Sequence, residues 1–381
     1  MLKPDYSNSI VNLVSSLAQG LGQGENDYAP LVELGAMALG DQPLVLLILD
    51  GLGDTFLQGF PESFLCRHRQ GRLTSVFPPT TATAMTSFFT GVAPQQHAVT
   101  GWHTYFKELG VVATVLPFQP RYGGPSFSER GISPAQLIGQ DSLLSSLPLP
   151  CHALLPHHLV DSAYSRALSG RASRHGFATL AEMFSTLIAL AEPQRPGLII
   201  AYWPELDSLA HLHGMASMEA AVHFLELDQG CRDAFSLLEA RGAKIVVTAD
   251  HGLIDTCPEH IIYLKEHPQL AATLSLPLCG EPRCAYCYVH AHRRLDFERY
   301  IARNLGHACT LHQSSELIAA GYFGKGAADP RLQERVGDYV LLMKENYIIR
   351  DQLLTEKTFR QRGVHGGFSE EELYVPLIMV G

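Results

Sequence analysis

The chain has 381 residues, a hydrophobic fraction of 46% and a formal net charge of -10. This length and apolar content are ample for a buried core and exclude a largely disordered chain. The acidic balance argues against binding to nucleic-acid polymers or anionic membranes, but an anionic small molecule remains compatible, because metal ions can make a site locally positive.

Residues 1–27 have the pattern of a short amphipathic helix and lack a basic region followed by a continuous apolar stretch. No run of about 18 apolar residues occurs in the chain, so a membrane-spanning segment is not expected. We therefore expect a cytoplasmic protein that binds neither a membrane nor a nucleic-acid polymer. The sequence indicates no oligomeric state.

Four apolar runs have the length of strands, and two of them end at an aspartate. The runs are residues 43–50, Gly197–Trp203, 243–250 and Tyr374–Val380. The first three are apolar on both faces, which is typical of parallel strands covered by helices, whereas Pro376 favours an edge or a strand start for the fourth. Residues 177–191 and 217–241 have helical spacing. Strands that alternate with helices predict an α/β fold, a three-layer α/β/α sandwich with a mainly parallel sheet.

A stretch rich in Thr and Ala follows the first run. Its Pro-Pro pair ends an extended segment, and the residues after it predict a helix that ends at Gly91. A hydroxyl at the start of this helix, on Thr80, Thr81 or Thr83, would lie where free N–H groups and the helix dipole favour an anion. The simpler interpretation of any one of these threonines is a helix N-cap.

The pattern changes at residues 271–355, where short strands and helices are mixed. We predict that this stretch is a small inserted α+β cap, and that residues 1–270 and 356–381 form the catalytic core. Cys284 and Cys287 have a spacing that can bind zinc, but the residues around them have the pattern of a strand. We therefore predict that these cysteines are structural.

Two predicted strands end at candidate metal ligands. Asp50 and Asp250 each follow an apolar run, and parallel strands place such residues at one rim of a sheet. His251 and Gly252 come next, so one tight loop could present two ligands. An N-cap role would explain Asp250 but not the adjacent histidine.

Two further segments carry candidate ligands. Asp207 and His211 are spaced i, i+4, so one helix face could present both to a metal ion or hold them as an ion pair. His365 is flanked by glycines, which suits a ligand on a loop better than a core histidine. Three Asp, three His and one Thr could hold two divalent metal ions for phosphoryl transfer. Mixed carboxylate and imidazole ligation favours zinc, with manganese or iron as alternatives.

In order and type, these motifs resemble the alkaline phosphatase superfamily, and in particular its type I phosphodiesterase/nucleotide pyrophosphatase branch, of which phosphonoacetate hydrolase is a relative. The resemblance covers residues 43–105, 197–255 and 360–381. It implies that Thr81, ten residues before Gly91, is a nucleophile that forms a covalent phospho-threonine intermediate. It also implies two metal sites. One comprises Asp207, His211 and His365, and the other comprises Asp50, Thr81, Asp250 and His251.

The activity that this resemblance implies is hydrolysis of a phosphodiester or phosphoanhydride bond in a small-molecule substrate. The sequence departs from the branch at Ala84, where an asparagine is common, so another group would have to donate to a phosphate oxygen. Candidates are the Ala82 N–H, His103, Lys107 and Arg283, although a solvated loop arginine is the simpler interpretation of Arg283.

Three alternatives to this activity stay open. Hydrolysis of a phosphomonoester or a phosphonate could use the same metal ions. A metal-dependent mutase would instead return the phosphoryl group to its substrate. A zinc-binding protein without turnover would have the ligands but no use for Thr81.

Overall fold

The computed structural model describes residues 2–24, 27–35, 41–354, 356 and 361–381. Residue 355, at which the predicted cap ends, lies outside these ranges. The strands, in chain order, are β1 (Pro43–Leu49), β2 (Arg69–Thr74), β3 (His103–Phe106), β4 (Val111–Thr114), β5 (Gln119–Pro120), β6 (Cys151–Pro156), β7 (Ser173–Phe177), β8 (Gly197–Trp203), β9 (Lys244–Thr248), β10 (Ile254–Asp255), β11 (Ile261–Tyr263), β12 (Cys279–Glu281), β13 (Cys284–Cys287), β14 (Cys309–Gln313), β15 (Tyr339–Met343), β16 (Ile348–Arg350), β17 (Gly363–Val364) and β18 (Tyr374–Val380).

The helices include the predicted amphipathic helix near the N-terminus, which Ser9 caps. In chain order they are α1 (Ile10–Gly20), α2 (Asp54–Gln58), α3 (Phe64–Arg67), α4 (Thr81–Thr90), α5 (Pro94–His97), α6 (His157–Val160), α7 (Ala163–Ser169), α8 (Leu180–Leu190), α9 (Glu205–His213), α10 (Met218–Glu239), α11 (Pro268–Ala271), α12 (Arg294–Tyr300), α13 (Ser314–Ala319), α14 (Leu332–Arg335) and α15 (Glu370–Leu373). None of the helices in the described part of the chain has the length and apolar character that crossing a membrane requires.

The core sheet contains seven strands in the order β2-β18-β9-β1-β8-β6-β7. Its neighbouring strands are parallel except at β18, which is antiparallel to both β2 and β9. All seven residues of β1 are buried, as expected for an apolar strand with helices on both faces. Around the sheet, α4 packs on α1 and α7, and α10 packs on α8 and α9. The predicted α/β fold with a mainly parallel sheet is therefore confirmed.

Pro376 was predicted to mark an edge strand or a strand start, and this prediction is wrong. This residue lies inside β18, which is an internal strand of the core sheet. At Pro376 only β2 pairs with β18, because the pairing with β9 begins at Ile378. The missing N–H of proline therefore costs no hydrogen bond to β9.

The register of the core sheet decides which residues can meet. Ile48 of β1 pairs with Thr248 of β9, so Asp50 and Asp250, each two residues further on, leave the sheet side by side. The parallel strands β2 and β8 end at the same rim, and the antiparallel strand β18 begins there. We call this edge the carboxyl rim. The segments leading to α4 and α9, and the segment that precedes β18, all meet at it.

The second sheet contains seven strands in the order β14-β15-β13-β12-β3-β4-β5, all of them antiparallel. Strands β12 to β15 lie in the predicted cap, whereas β3 to β5 come from residues 103–120, outside its predicted boundaries. The second sheet therefore joins two distant parts of the chain, and the boundaries 271–355 stay a prediction. Cys284 and Cys287 lie buried in β13, and all eight cysteines of the chain are free.

A hydrophobic cluster connects the second sheet to the carboxyl rim. Phe77, shortly before α4, contacts Phe323 and Phe368 with ring centroids 4.8 and 4.9 Å apart. The same cluster includes Cys284 and Tyr286 of β13. The segment that leads into α4 is therefore packed between the core sheet and the second sheet.

Candidate active site

Four of the predicted ligands meet around one imidazole nitrogen at the carboxyl rim. The Nε2 atom of His251 lies 3.5 Å from an Asp50 oxygen, 3.4 Å from an Asp250 oxygen and 3.2 Å from the Thr81 hydroxyl. Asp250 is held in place because its Oδ1 atom accepts from the N–H groups of Gly51 and His251, at 3.2 and 3.0 Å. The adjacent Asp-His pair therefore presents both side chains to one point.

The remaining three predicted ligands adjoin this group. Helix α9 places Asp207 and His211 on one face, with Oδ2 and Nε2 3.2 Å apart. The ring of His365 stacks on that of His251 with centroids 3.8 Å apart, and it lies 5.1 Å from the His211 ring. The seven residues therefore form one continuous cluster, which we call the ligand cluster.

Two groups within the ligand cluster are close enough to share an ion. Ligand atoms of Asp50, Asp250 and His251 all lie within 4.8 Å of one another, and so do those of Asp207, His251 and His365. His251 thus belongs to both groups, whereas His211 approaches the second group beside Asp207. The division that the family resemblance implies has His211 in place of His251 in the second group.

Each histidine of the ligand cluster presents Nε2 to the centre, because its Nδ1 atom lies against a backbone carbonyl. The pairs are His211 with Gly363 at 2.8 Å, His251 with Gly252 at 3.1 Å and His365 with Pro79 at 3.3 Å. A carbonyl can only accept, so we assign the proton to Nδ1 and the lone pair to Nε2. Burial and the two neighbouring histidines lower the pKa of His365 well below its ordinary value, which keeps this ring neutral. Metal-binding histidines are oriented in this way.

Buried carboxylate oxygens supply a test of whether the site fits a metal ion. Asp50, Asp207 and Asp250 each have one buried oxygen without a hydrogen-bond partner among the described residues. Such oxygens are costly to bury as anions. Burial, with the nearby carboxylates of Asp250 and Asp207, also raises the pKa of Asp50 well above its ordinary value. Divalent cations would relieve both costs, so these residues fit a metal centre.

Of the three candidate threonines, Thr81 contacts another member of the ligand cluster, His251, in the described part of the chain. It is the first residue of α4, a helix of ten residues whose start therefore faces His251. Thr80 occupies the N-cap position, but its hydroxyl donates to Glu281 at 2.7 Å instead of accepting from the helix. The hydroxyl of Thr83 is buried without a partner among the described residues. The helix start next to Thr81 is suited to an anion such as a phosphoryl group.

Tyr202 is a site residue that the sequence analysis missed. Its buried hydroxyl donates to Asp50, and it is paired in register with Ile48 near the end of β1. A buried tyrosine hydroxyl usually needs a hydrogen-bond partner. This polar group near the end of an apolar strand was a signal that could have identified the residue.

Glu281 is a second residue that the sequence analysis missed. It lies at the end of β12, and its Oε1 atom accepts from the Thr80 hydroxyl and the Trp102 N–H, both at 2.7 Å. Burial raises the pKa of Glu281 to about 7. Glu281 and Thr80 are 201 residues apart in the chain, so no motif connects them.

Two of the candidate phosphate donors have their polar partners outside the ligand cluster. The Nε2 atom of His103 lies 3.8 Å from a Glu356 oxygen, and burial lowers the pKa of His103 to about 3. Lys107 forms an ion pair with Glu334 at the surface. Among the described residues, neither side chain has a hydrogen bond or ion pair with the seven ligands. A contact of either residue with substrate stays a prediction.

The interpretation of Arg283 as a solvated loop arginine is wrong. Its side chain is buried, and its Nε and Nη2 atoms donate to the two oxygens of Glu372 at 3.0 and 2.7 Å. Glu372 also accepts from the N–H of Gly367, two residues after His365, at 2.7 Å. Arg283 therefore lies beneath the loop that carries a predicted ligand.

The fold and the site define a class of enzyme. A threonine at a helix start, next to carboxylates and imidazoles at the carboxyl rim, is the arrangement expected of phosphoester hydrolases of the alkaline phosphatase superfamily. A family model described as type I phosphodiesterase/nucleotide pyrophosphatase matches residues 44–368. The chain belongs to this family of phosphoester hydrolases. No curated protein showed a significant sequence match to it.

Solved structures share the fold at low sequence identity. An inactive form of murine ectonucleotide pyrophosphatase/phosphodiesterase 5 in complex with AMP has a TM-score of 0.66 and 15% identity, covering 88% of this chain and 87% of that one. The human protein has a TM-score of 0.65 and 14% identity, with coverages of 89% and 88%. Phosphonoacetate hydrolase from Sinorhizobium meliloti in complex with phosphonoacetate has a TM-score of 0.64 and 16% identity, with coverages of 89% and 90%.

Proposed function

We propose that the protein hydrolyses a phosphodiester or phosphoanhydride bond in a small-molecule substrate, at a site for two divalent metal ions and with Thr81 as the nucleophile. One observation carries this proposal. Oxygens of Asp50, Asp250 and Thr81 lie within 3.5 Å of His251 Nε2, and ligand atoms of Asp207 and His365 lie within 4.8 Å of the same side chain.

The ligands divide into two sets. Asp50, Thr81, Asp250 and His251 would hold one ion, and Asp207, His211 and His365 would hold the other. Mixed carboxylate and imidazole ligation favours zinc, with manganese or iron as alternatives. When bound, such ions would lower the pKa of the nucleophile and stabilise the oxygen of the leaving group.

The protein's own groups suit a covalent mechanism. Deprotonated Thr81 Oγ would form a bond to phosphorus as the bond from phosphorus to the leaving-group oxygen breaks, and water would later release the phosphoryl group from Thr81. The free N–H groups in the first turn of α4, including that of Ala82, could donate to the phosphoryl oxygens. The inactive form of the murine neighbour carries a threonine-to-alanine substitution, which is what a threonine nucleophile predicts.

A second candidate is hydrolysis of a phosphonate or a phosphomonoester at the same ions. It is favoured by the shared fold with phosphonoacetate hydrolase and by Ala84, where the phosphodiesterase branch commonly has an asparagine. Parallel assays with bis-(p-nitrophenyl) phosphate, p-nitrophenyl phosphate and phosphonoacetate would separate the candidates. Faster turnover of the monoester or of the phosphonate would reverse our preference for diesters.

The test of the proposed function is the metal content of the purified protein, combined with diesterase assays before and after chelation. We expect about two metal equivalents, loss of turnover on chelation and recovery when zinc is restored. The matched variant Asp250→Asn should lose one equivalent, because Asp250 belongs to a single set. A protein that stays free of metal and inactive after zinc addition would contradict the proposal.

A further inference from the structure

The turn between β12 and β13 is the part of the second sheet that approaches the candidate active site. We call its residues Glu281, Pro282 and Arg283 the hairpin tip. Both charged side chains of the hairpin tip are buried, with 7% and 1% of their residue surface exposed. Burying a carboxylate and a guanidinium costs several kcal/mol unless each has partners, so what they contact indicates what they do.

Glu281 anchors the residue that precedes the proposed nucleophile. Its Oε1 atom accepts from the Thr80 hydroxyl at 2.7 Å. Thr80 is the N-cap of α4, yet its side chain makes no capping bond with that helix. The Thr80 side chain therefore bonds to the second sheet instead of capping α4. This bond holds the start of α4, including Thr81, against the second sheet.

Glu281 also contacts two other segments next to the site. The same Oε1 atom accepts from the Trp102 N–H at 2.7 Å. Gly366, which follows His365, has φ of 99°, and a Cβ atom at this position would lie 2.8 Å from Cβ of Glu281. A side chain at Gly366 would thus be strained and would collide with Glu281. The backbone of the His365 loop therefore lies directly against the Glu281 side chain.

Arg283 makes the hairpin tip a rigid anchor. Its Nη1 atom donates to the Tyr347 carbonyl at 2.8 Å, while Nε and Nη2 form the two-bond pair with Glu372 of α15. A bidentate guanidinium–carboxylate pair fixes geometry as well as charge. The backbone that carries the Glu281 side chain therefore has little freedom to move.

We propose that Glu281 is a positioning residue, which sets the place of Thr81 in the ligand cluster by holding the hydroxyl of Thr80. This inference rests on the proposed function, because it takes Thr81 as the nucleophile. An error of about 1 Å in the position of a reacting group can cost about 100-fold in rate. The second sheet would thus contribute to catalysis without supplying a metal ligand.

The test compares two substitutions of nearly equal size. Glu281→Gln keeps an oxygen that can accept from Thr80 and Trp102, whereas Glu281→Met removes it. We expect Glu281→Met to lower kcat for the diester about 10- to 100-fold with KM and metal content unchanged. Glu281→Gln should stay within about threefold of the wild type. In a crystal structure of Glu281→Met, Thr81 Oγ should move away from its position 3.2 Å from His251 Nε2.

Thr80, the donor of the same hydrogen bond, supplies a second test, which applies even if Glu281→Met does not fold. Thr80→Val removes the donor at nearly constant shape and should lower kcat as Glu281→Met does, whereas Thr80→Ser should retain activity. In the double variant the losses should not add, because both substitutions remove one interaction.

Three results would overturn the positioning role. One is wild-type kcat in both Glu281→Met and Thr80→Val. Another is a loss of kcat in Glu281→Gln equal to that in Glu281→Met, because the charge of Glu281 and not its hydrogen bond to Thr80 would then be important. The third is a change confined to KM. All three presuppose chelator-sensitive turnover in the wild type, whose absence would instead reject the proposed function.

Discussion

The two sheets of the protein contribute to the candidate site in different ways. The core sheet delivers the ligand cluster from the ends of its strands and the segments next to them. The second sheet delivers the hairpin tip, whose side chains contact Thr80, just before Thr81, and the loop that carries His365. One sheet thus supplies the groups proposed to react, and the other supports the backbone that carries them.

Hydrogen bonding separates these two roles. At the carboxyl rim, Asp50, Asp207 and Asp250 each have one buried oxygen without a hydrogen-bond partner among the described residues. At the hairpin tip, Glu281 and Arg283 bond to neighbouring groups. Buried carboxylate oxygens without hydrogen-bond partners fit a cation site, whereas buried charges with partners indicate a structural connection.

The largest effect is expected for Thr81→Ala, which would remove the proposed reacting group and leave the core sheet otherwise intact. Turnover should fall by at least about a thousandfold, because the covalent step needs the hydroxyl. The thermal midpoint of unfolding and the metal content should change little, since Thr81 is one of seven proposed ligands. Turnover close to that of the wild type would remove Thr81 from the mechanism.

A smaller effect is expected for Tyr202→Phe, which tests whether a residue of the core sheet supports the proposed metal ligand Asp50. Loss of the hydroxyl that donates to Asp50 should weaken metal affinity about tenfold, as measured by competition with a chelator. This loss differs in kind from that of Glu281→Met, for which we expect lower kcat at full metal content. If the two variants instead behaved alike, the division of roles between the sheets would fail.

The last effect is on the free energy of unfolding and not on turnover. Burial lowers the pKa of His97 from 6.5 to about 3, and Arg335 of α14 donates to the carbonyl of the adjacent Ala98 at 2.9 Å. The folded state keeps His97 neutral, while the unfolded chain binds a proton below pH 6.5. This contribution to stability is therefore complete above pH 6.5 and is lost as the pH falls towards 3.

Urea unfolding at several pH values would measure this contribution. The free energy of unfolding should fall with decreasing pH more steeply in the wild type than in His97→Gln, by up to about 1.4 kcal/mol per pH unit. Equal slopes for the two proteins between pH 6 and about 4 would mean that His97 titrates normally in the fold.

Four strands of the core sheet, β1, β8, β9 and β18, could be predicted because their evidence is local, whereas β2, β6 and β7 were not predicted. The run that forms β1 is apolar on both faces, and β8 and β9 share this feature, so burial between helices followed directly. Parallel strands end at one rim, and for this reason Asp50 and Asp250 were expected to meet. The i, i+4 spacing of Asp207 and His211 was equally informative, because a helix places such residues on one face.

The second sheet could be predicted only in part. A strand around Cys284 and Cys287 was expected, but the pairing of β12 with β3 joins Gly280 to His103, and no local pattern indicates such a partner. This pairing brings Glu281 to the N–H of Trp102, next to β3. The misjudged burial of Arg283 has a similar cause, since its partner Glu372 lies 89 residues away in the chain.

The sequence by itself determined four of the seven strands of the core sheet, the rim at which Asp50 and Asp250 leave it and the helix face that Asp207 and His211 share. These features follow from apolar periodicity, helical spacing and the common direction of parallel strands, all of which act over a few residues. Only the tertiary structure decided how the start of α4, with the proposed nucleophile Thr81, is held. The hydrogen bonds of Glu281 and Arg283 depend on two sheets packing together, and that packing brings together side chains from distant parts of the chain.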